Sequence, residues 1–321
     1  MKHTLILISF ITCALFSNAQ GPSNEAKKYV DNVFRIIEKN YYYIDRINIK
    51  LLKDKCYALI SNAKTTKETY PAIDTLLKDL FDHHHIFLRP EQFSNSSKIW
   101  PLKFPSVEVI NKSVGYIKIP PIANQYNQWQ LWIDSLQNSL GRLEGSTIKG
   151  WIIDLRGNYG GDLPPMITSL YPFFGDGIIY TLQDRKNNLE TYSFSSGYYA
   201  IKKRRKVYKA VRYNNQIKTE LNIPVAILID IKTASAAEMV AIAFKGRAKT
   251  IFLGEPTAGL TISTRGFKLS DNAFFTIANG KFYDLKGNSY ENSITPDIFI
   301  KQDSIKMDET KEKAIEWLRR Q

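Results

Sequence analysis

Apolar residues recur along this chain at two periods. Val30, Val33, Phe34, Ile37 and Tyr41 fall at i, i+3, i+4, i+7 and i+11, so residues 25–44 read as an amphipathic helix. Leu52, Cys56, Leu59, Ile60 and Ala63 outline a second helix. Tyr70, Ile73, Leu77 and Leu80 outline a third, opened by a Thr65-x-x-Glu68 capping box. Residues 107–119 alternate as a hairpin turning at Asn111-Lys112. Trp129, Trp132, Ile133, Leu136, Leu140 and Leu143 return to helical spacing and lead into a strand over 150–156. Pro164 and Pro165 then stand where the first turn of a helix tolerates proline.

The densest apolar pattern lies between Pro224 and Leu260. Val225 to Ile229 form a run too short for a helix, typical of a strand buried on both faces. A tight turn of small residues follows, then Met239, Ile242, Ala243 and Gly246 at helical spacing, then a second strand at Ile251-Phe252-Leu253. Between these blocks, residues 183–222 are polar, basic and rich in tyrosine, with weak periodicity. They read as an excursion near the site or a flexible flap. After Leu260, short strands alternate with turns to about Ile300, with turn signals at Gly280 and Asp284–Gly287, and a charged helix covers 308–320. No internal repeat or low-complexity tract is evident.

Composition supports a large core and narrows the partners. The chain has 321 residues, 44% of them hydrophobic, and a formal net charge of +13. The charge is scattered except at Lys202-Lys203-Arg204-Arg205-Lys206. That cluster lacks a recognisable nucleic-acid module and reads as a solvated loop rather than a nucleic-acid or anionic-membrane contact. Residues 1–19 have the form of a secretory signal: Lys2 and His3, an apolar run from Leu5 to Phe16, then Ser17-Asn18-Ala19 before Gln20. The run is short for a membrane span, and Phe10-Ile11-Thr12 makes a poor lipobox for Cys13. Export to the periplasm or beyond is the expectation. It leaves Cys56 as the remaining cysteine, hence no intrachain disulfide.

Three stretches carry candidate chemistry. Ser235 stands at a strand-to-helix turn, where open α/β sheets place ligands and where free helix amides can stabilise an oxyanion. The same position suits an ordinary serine N-cap. Asp82-His83-His84-His85 holds three of the four histidines. Consecutive side chains point apart, so the run does not ligate one metal, but one ring is a candidate base. Gly157-Asn158-Tyr159-Gly160-Gly161 follows a buried strand and marks close backbone approach. Its spacing matches neither a dinucleotide nor a Walker phosphate loop, and an oxyanion-binding turn fits as well.

Taken together these stretches resemble the tail-specific, or C-terminal processing, serine peptidases. Asp154-Leu155-Arg156-Gly157-Asn158-Tyr159-Gly160-Gly161 is similar to that family's D-L-R-x-N-x-G-G. Thr233–Glu238 and Gly254-Glu255-Pro256-Thr257-Ala258-Gly259 are similar to its nucleophile motif and G-E-x-T-x-G, and Asp82–Phe87 resembles its D-x-H-S-F segment. The order matches over roughly 70–300. The resemblance implies an α/β fold, a crotonase-like (ClpP-type) spiral of ββα units with a small helical N-terminal region. It implies residues 20–90 as that helical region, 91–304 as the peptidase core and 305–321 as a C-terminal helix. It also implies hydrolysis of a peptide or protein substrate through an acyl-enzyme on Ser235, without cofactor or metal, with Gly160 and Ala236 N–H as oxyanion donors.

Leu260 stands where one branch of the family places its lysine base, so a Ser–Lys dyad is excluded there. The tricorn-core-like branch uses a histidine and a glutamate instead. By that match His84 is the base, or its neighbour His85, and Glu291 the orienting acid. Asp154, Arg156 and Glu238 read as structural charges. Residues 89–149 are too few for a PDZ module beside the hairpin and helix. The rival reading is a non-catalytic ligand- or peptide-binding protein on the same scaffold.

Overall fold

The computed structural model describes residues 21–99, 102–123, 126–143, 147–214, 216, 221–301 and 307–321. The expected signal at 1–19 lies outside the described residues. The first apolar stripes fold as helices α1 (Asn24–Asn40), α2 (Ile49–Leu59) and α3 (Tyr70–Lys78). Ser23 and Asn48 cap the first two by accepting from Ala26 and Leu51 N–H. The Thr65–Glu68 side chains do meet, at 2.9 Å, but they cap no helix. Pro71 sits in the first turn of α3, where its missing N–H removes no intrahelical bond, so the α-helical start moves to Tyr70. Strand β1 (Phe87–Leu88) and helix α4 (Pro90–Ile99) follow, and no periodicity announces either.

The expected hairpin is β2 (Ser106–Ile110) and β3 (Val114–Lys118). Its turn residues Asn111 and Lys112 take φ of +50° and +63°, as a tight hairpin turn requires. Then come α5 (Trp129–Gly141), β4 (Gly150–Asp154) and α6 (Leu163–Ser169). The segment 183–222 departs from expectation. It is mostly an antiparallel meander: β5 (Gly177–Asp184), β6 (Leu189–Ser195), β7 (Tyr198–Lys203) and β8 (Lys206–Arg212). The strand–helix–strand block is β9 (Val225–Ile229), α7 (Ala236–Lys245) and β10 (Thr250–Gly254). After it come β11 (Ile262–Lys268), β12 (Phe274–Tyr283), β13 (Ile298–Phe299) and α8 (Glu309–Leu318).

Among the described residues these strands form two sheets in a mixed α/β fold. One runs β13-β10-β9-β4-β3-β2 and is parallel except for its β2 edge. Every residue of β4 and β9 is buried, which explains their unbroken apolar runs. Ile152, Ala226, Leu228 and Leu253 face Ala314, Ile315 and Leu318 of α8. Ile153, Val225, Ile227 and Ile229 share the main core with α5, α6 and α7. Helix α7 is buried from Ala236 to Phe244, so its apolar surface runs all round. Each large side chain there contributes about 1.5–3 kcal/mol by leaving water.

The second sheet is antiparallel, in the order β1-β12-β5-β6-β7-β8, with β11 on the other edge of β12. Tyr180, Tyr192, Phe194 and Tyr199 of its meander enter the same core as α7. Its β11–β12 end instead closes over α1, α2 and α3: Ile262, Phe275 and Ile277 pack with Val33, Ile37 and Ile73. The helical region therefore shares its core with strands far along the chain, as Val33 and Ile277 show. Gly280, read as a turn, lies inside β12. A Cβ there would meet the Gln183 carbonyl oxygen at 2.8 Å, so the glycine serves close approach to β5.

Candidate active site

The turn after β9 is fixed by one carboxylate and one main-chain carbonyl. Asp230 accepts from Thr233 Oγ1 at 3.1 Å and Lys232 N–H at 3.0 Å, and from Gly157 N–H with both oxygens at 3.0 Å. Asn158, fully buried, accepts Ala234 N–H on its backbone oxygen at 2.9 Å and donates from Nδ2 to the Ile119 carbonyl at 3.0 Å. The glycine loop and the serine turn are thereby laced together. Gly160 (φ +94°) touches the serine turn so closely that a Cβ would lie 2.6 Å from the Ala234 carbonyl oxygen and 2.9 Å from Ser235 Cβ. The alanines at 234, 236 and 237 leave the room this contact needs.

Ser235 occupies the N-cap position of α7 with φ +53° and ψ −118°. That backbone conformation costs a non-glycine residue about 1–3 kcal/mol and persists only where the surroundings enforce it. Glu238 does the enforcing. Its fully buried carboxylate accepts from Ser235 N–H (2.8 Å), Leu260 N–H (2.8 Å), Gly259 N–H (2.9 Å) and the Thr257 hydroxyl (2.5 Å). Burial pushes its pKa above the usual carboxylate value, against the pull of these four donors. The N-terminus of α7 and the segment after β10 therefore meet at one anion.

Ser235 Oγ lies 3.0 Å from His84 Nε2. His84 Nδ1 lies 2.8 Å from the Ile262 carbonyl oxygen. A carbonyl oxygen only accepts, so Nδ1 carries the proton, and Nε2 faces the hydroxyl as a lone pair. Burial lowers the His84 pKa below its ordinary value; the Ile262 carbonyl and the Asp82 charge oppose this, and His85 adds to it. The imidazole is thus held neutral, in the tautomer a general base needs.

Asp82 fixes the segment that carries the ring. Its Oδ1 accepts His84 N–H at 2.9 Å and its Oδ2 accepts the Tyr41 hydroxyl at 2.7 Å. Burial pushes its carboxyl up, but these donors and the nearby His85 ring outweigh burial and hold it below the usual range. His83 is exposed. His85 is packed away with Nδ1 unbonded and 3.8 Å from Asp82 Oδ1, so the imidazole that meets Ser235 is His84.

Two expected contacts do not form as drawn. Glu291 does not reach His84; it pairs with Lys281 and lies 3.8 Å from Arg46. Two cations outside the site hold that carboxylate, and a backbone carbonyl takes the orienting position. Gly160 N–H donates to Asn158 Oδ1 at 2.9 Å, so it is already engaged. Ala236 is buried and its N–H, at the first helical position, has no intrahelical acceptor. Sequence reasoning had no access to Ile262, because a main-chain oxygen leaves no residue-type signal. Asn158 and Glu238 lay in the quoted motifs, and their polarity beside apolar runs was the available sign. Asp154 and Arg156 form a separate buried cluster: Asp154 accepts from Tyr116 and Arg156, and Arg156 reaches Asp308 at 2.7 Å through both terminal nitrogens. Among the described residues, 89–149 hold α4, β2, β3 and α5.

The family model described as Peptidase family S41 matches residues 113–300. A nisin-resistance protein of Lactococcus lactis subsp. lactis is 29% identical over 301 residues, covering 92% of this chain and 87% of that one. A chloroplastic carboxyl-terminal-processing peptidase 2 of Arabidopsis thaliana is 24% identical over 169 residues, covering 53% of this chain but 28% of the relative. Among solved structures, a lipoprotein from Streptococcus agalactiae superposes with a TM-score of 0.75 at 21% identity, covering 93% of this chain and 97% of that one, a likeness of fold.

Proposed function

This chain belongs to peptidase family S41, and from that premise we propose that it is a serine peptidase working through a Ser235–His84 dyad. The observation that carries the proposal is the 3.0 Å approach of Nε2 to Oγ, with Nδ1 pinned by the Ile262 carbonyl. Ser235 Oγ attacks the carbonyl carbon of a peptide bond while its proton passes to His84 Nε2. The oxyanion forms beside Ala236 N–H; Gly160 N–H joins it by sharing or exchanging its bond to Asn158. Collapse breaks the C–N bond, and Nε2 returns the proton to the leaving amine. Water, deprotonated by the same nitrogen, then cleaves the acyl ester and restores the hydroxyl.

The serine turn, with β4–α6 and β9–α7–β10 around it, supports reading the core as a crotonase-like spiral. Export after cleavage before Gln20 is part of the same proposal. The names of the relatives suggest two trial substrates, nisin and peptides with a free C-terminus. The rival reading, a binding protein, draws on Leu260 and on the displaced Glu291. A fluorophosphonate probe separates the two. Expected is labelling of the protein that disappears in Ser235→Ala and slows about 10³-fold or more in His84→Ala. A wild-type protein that never labels overturns the peptidase reading in favour of the binder.

A further inference from the structure

The basic cluster at residues 202–206 is not a loop. It is the end of the β7–β8 hairpin, turning at Arg204-Arg205 with Arg204 at φ +53°. Between Tyr198 and Arg212 there are seven lysines and arginines and no acidic residue. The nearest carboxylate, Glu190, is taken by Lys203, and Asp184 by Asn188 and the turn amides beside it. In the antiparallel order β5-β6-β7-β8, the β5–β6 turn lies at the same end of the sheet and adds Arg185 and the exposed Lys186.

Shape and apolar content narrow what this end can meet. Residues 202–210 are all exposed, so both faces of the hairpin end are in water. Strand β8 closes the sheet order, and its outer edge pairs with no strand among the described residues. The end is therefore a convex tip, unlike the groove that tracks a single-stranded nucleic acid. Among its cations stand exposed apolar groups: Val207 at 60% and Tyr208 at 52%, with Leu189 at 54% on β6. Folding gains nothing from leaving them there. Cations flanking an aliphatic and a tyrosine side chain match the phosphate layer and headgroup boundary of a bilayer.

We propose that this hairpin end docks the protein on an anionic lipid bilayer. Lys202, Arg204, Arg205 and Lys206 engage headgroup phosphates, and Val207 and Tyr208 seat at the level of the headgroups. The test measures co-sedimentation of the full chain with vesicles of phosphatidylglycerol and phosphatidylcholine, against phosphatidylcholine alone. The quantity read is the increment due to phosphatidylglycerol, which removes whatever binding the rest of the chain contributes equally in every variant. The increment is expected to fall roughly 100-fold when Lys202, Arg204, Arg205 and Lys206 are all changed to Glu. It is expected to fall several-fold in Val207→Ser/Tyr208→Ser, with thermal unfolding unchanged in both variants. No increment in the wild type, or one that survives the charge reversal, overturns the proposal. So does a short DNA duplex that competes fully with the vesicles at equal phosphate concentration, which makes the tip a general polyanion site.

Discussion

The two sheets hold the candidate site from opposite sides and by different means. The parallel sheet delivers Ser235 from the end of a strand buried on both faces, into a turn tied to the buried Glu238 carboxylate and the Asn158 main-chain carbonyl. The antiparallel sheet delivers His84 from the short stretch before β1, held through Ile86 and Thr276 (2.9 and 3.0 Å), through Tyr41 and through the Ile262 carbonyl. Ser235 is fixed by a dense polar cage, His84 by a few longer-range threads. Sites assembled at such a seam depend on whatever joins the halves. Here that joint is Glu238, which binds Ser235 on one side and the run 257–260 leading into β11 on the other.

The largest effect is expected at that joint. Glu238→Ala leaves four donors without their acceptor and should cost about 3–5 kcal/mol in urea unfolding. Glu238→Gln keeps the shape, but its NH2 must face at least one N–H. We expect a loss of about 1–3 kcal/mol and a lower kcat at little-changed KM. A Gln variant with wild-type stability and turnover would break the comparison, since the halves would then be joined elsewhere.

A smaller effect should appear on the base side, read through pH. Burial favours neutral His84, so the neutral ring that the proposed dyad needs persists below the ordinary histidine pKa of 6.5 and is lost as pH falls through a lower value. The same sign governs folding: the unfolded chain takes up a proton on this histidine first, so stability declines as pH drops below about 6.5. Asp82 opposes the depression, and Asp82→Asn should move the acid limb of the labelling rate to still lower pH. A limb that stays in place would assign it to another group. The smallest effect is expected at Glu291. Glu291→Gln should change stability by no more than about 0.5 kcal/mol and the labelling rate by less than about twofold, because its ion pairs are partly exposed. A hundredfold fall would restore it to the base side.

Much of the parallel half was readable because burial on both faces writes itself as continuous apolar runs, and the turns at its strand ends need small residues. Ser235 and the glycine loop were found for that reason. The meander β5–β8 was not, because its strands bury one face unevenly; the pattern on β8 shows one buried residue among seven. The partner of His84 was missed for another reason. The resemblance implied a glutamate, while the fold supplies a main-chain oxygen that any residue at 262 would carry. Choosing among three adjacent histidines likewise required the path of the chain past Asp82, which local spacing does not encode.

Glu238 grips Leu260 by its backbone N–H, and nothing in that bond reads the side chain. A substitution at 260 therefore leaves standing the hydrogen bond by which Glu238 ties this segment to the Ser235 turn.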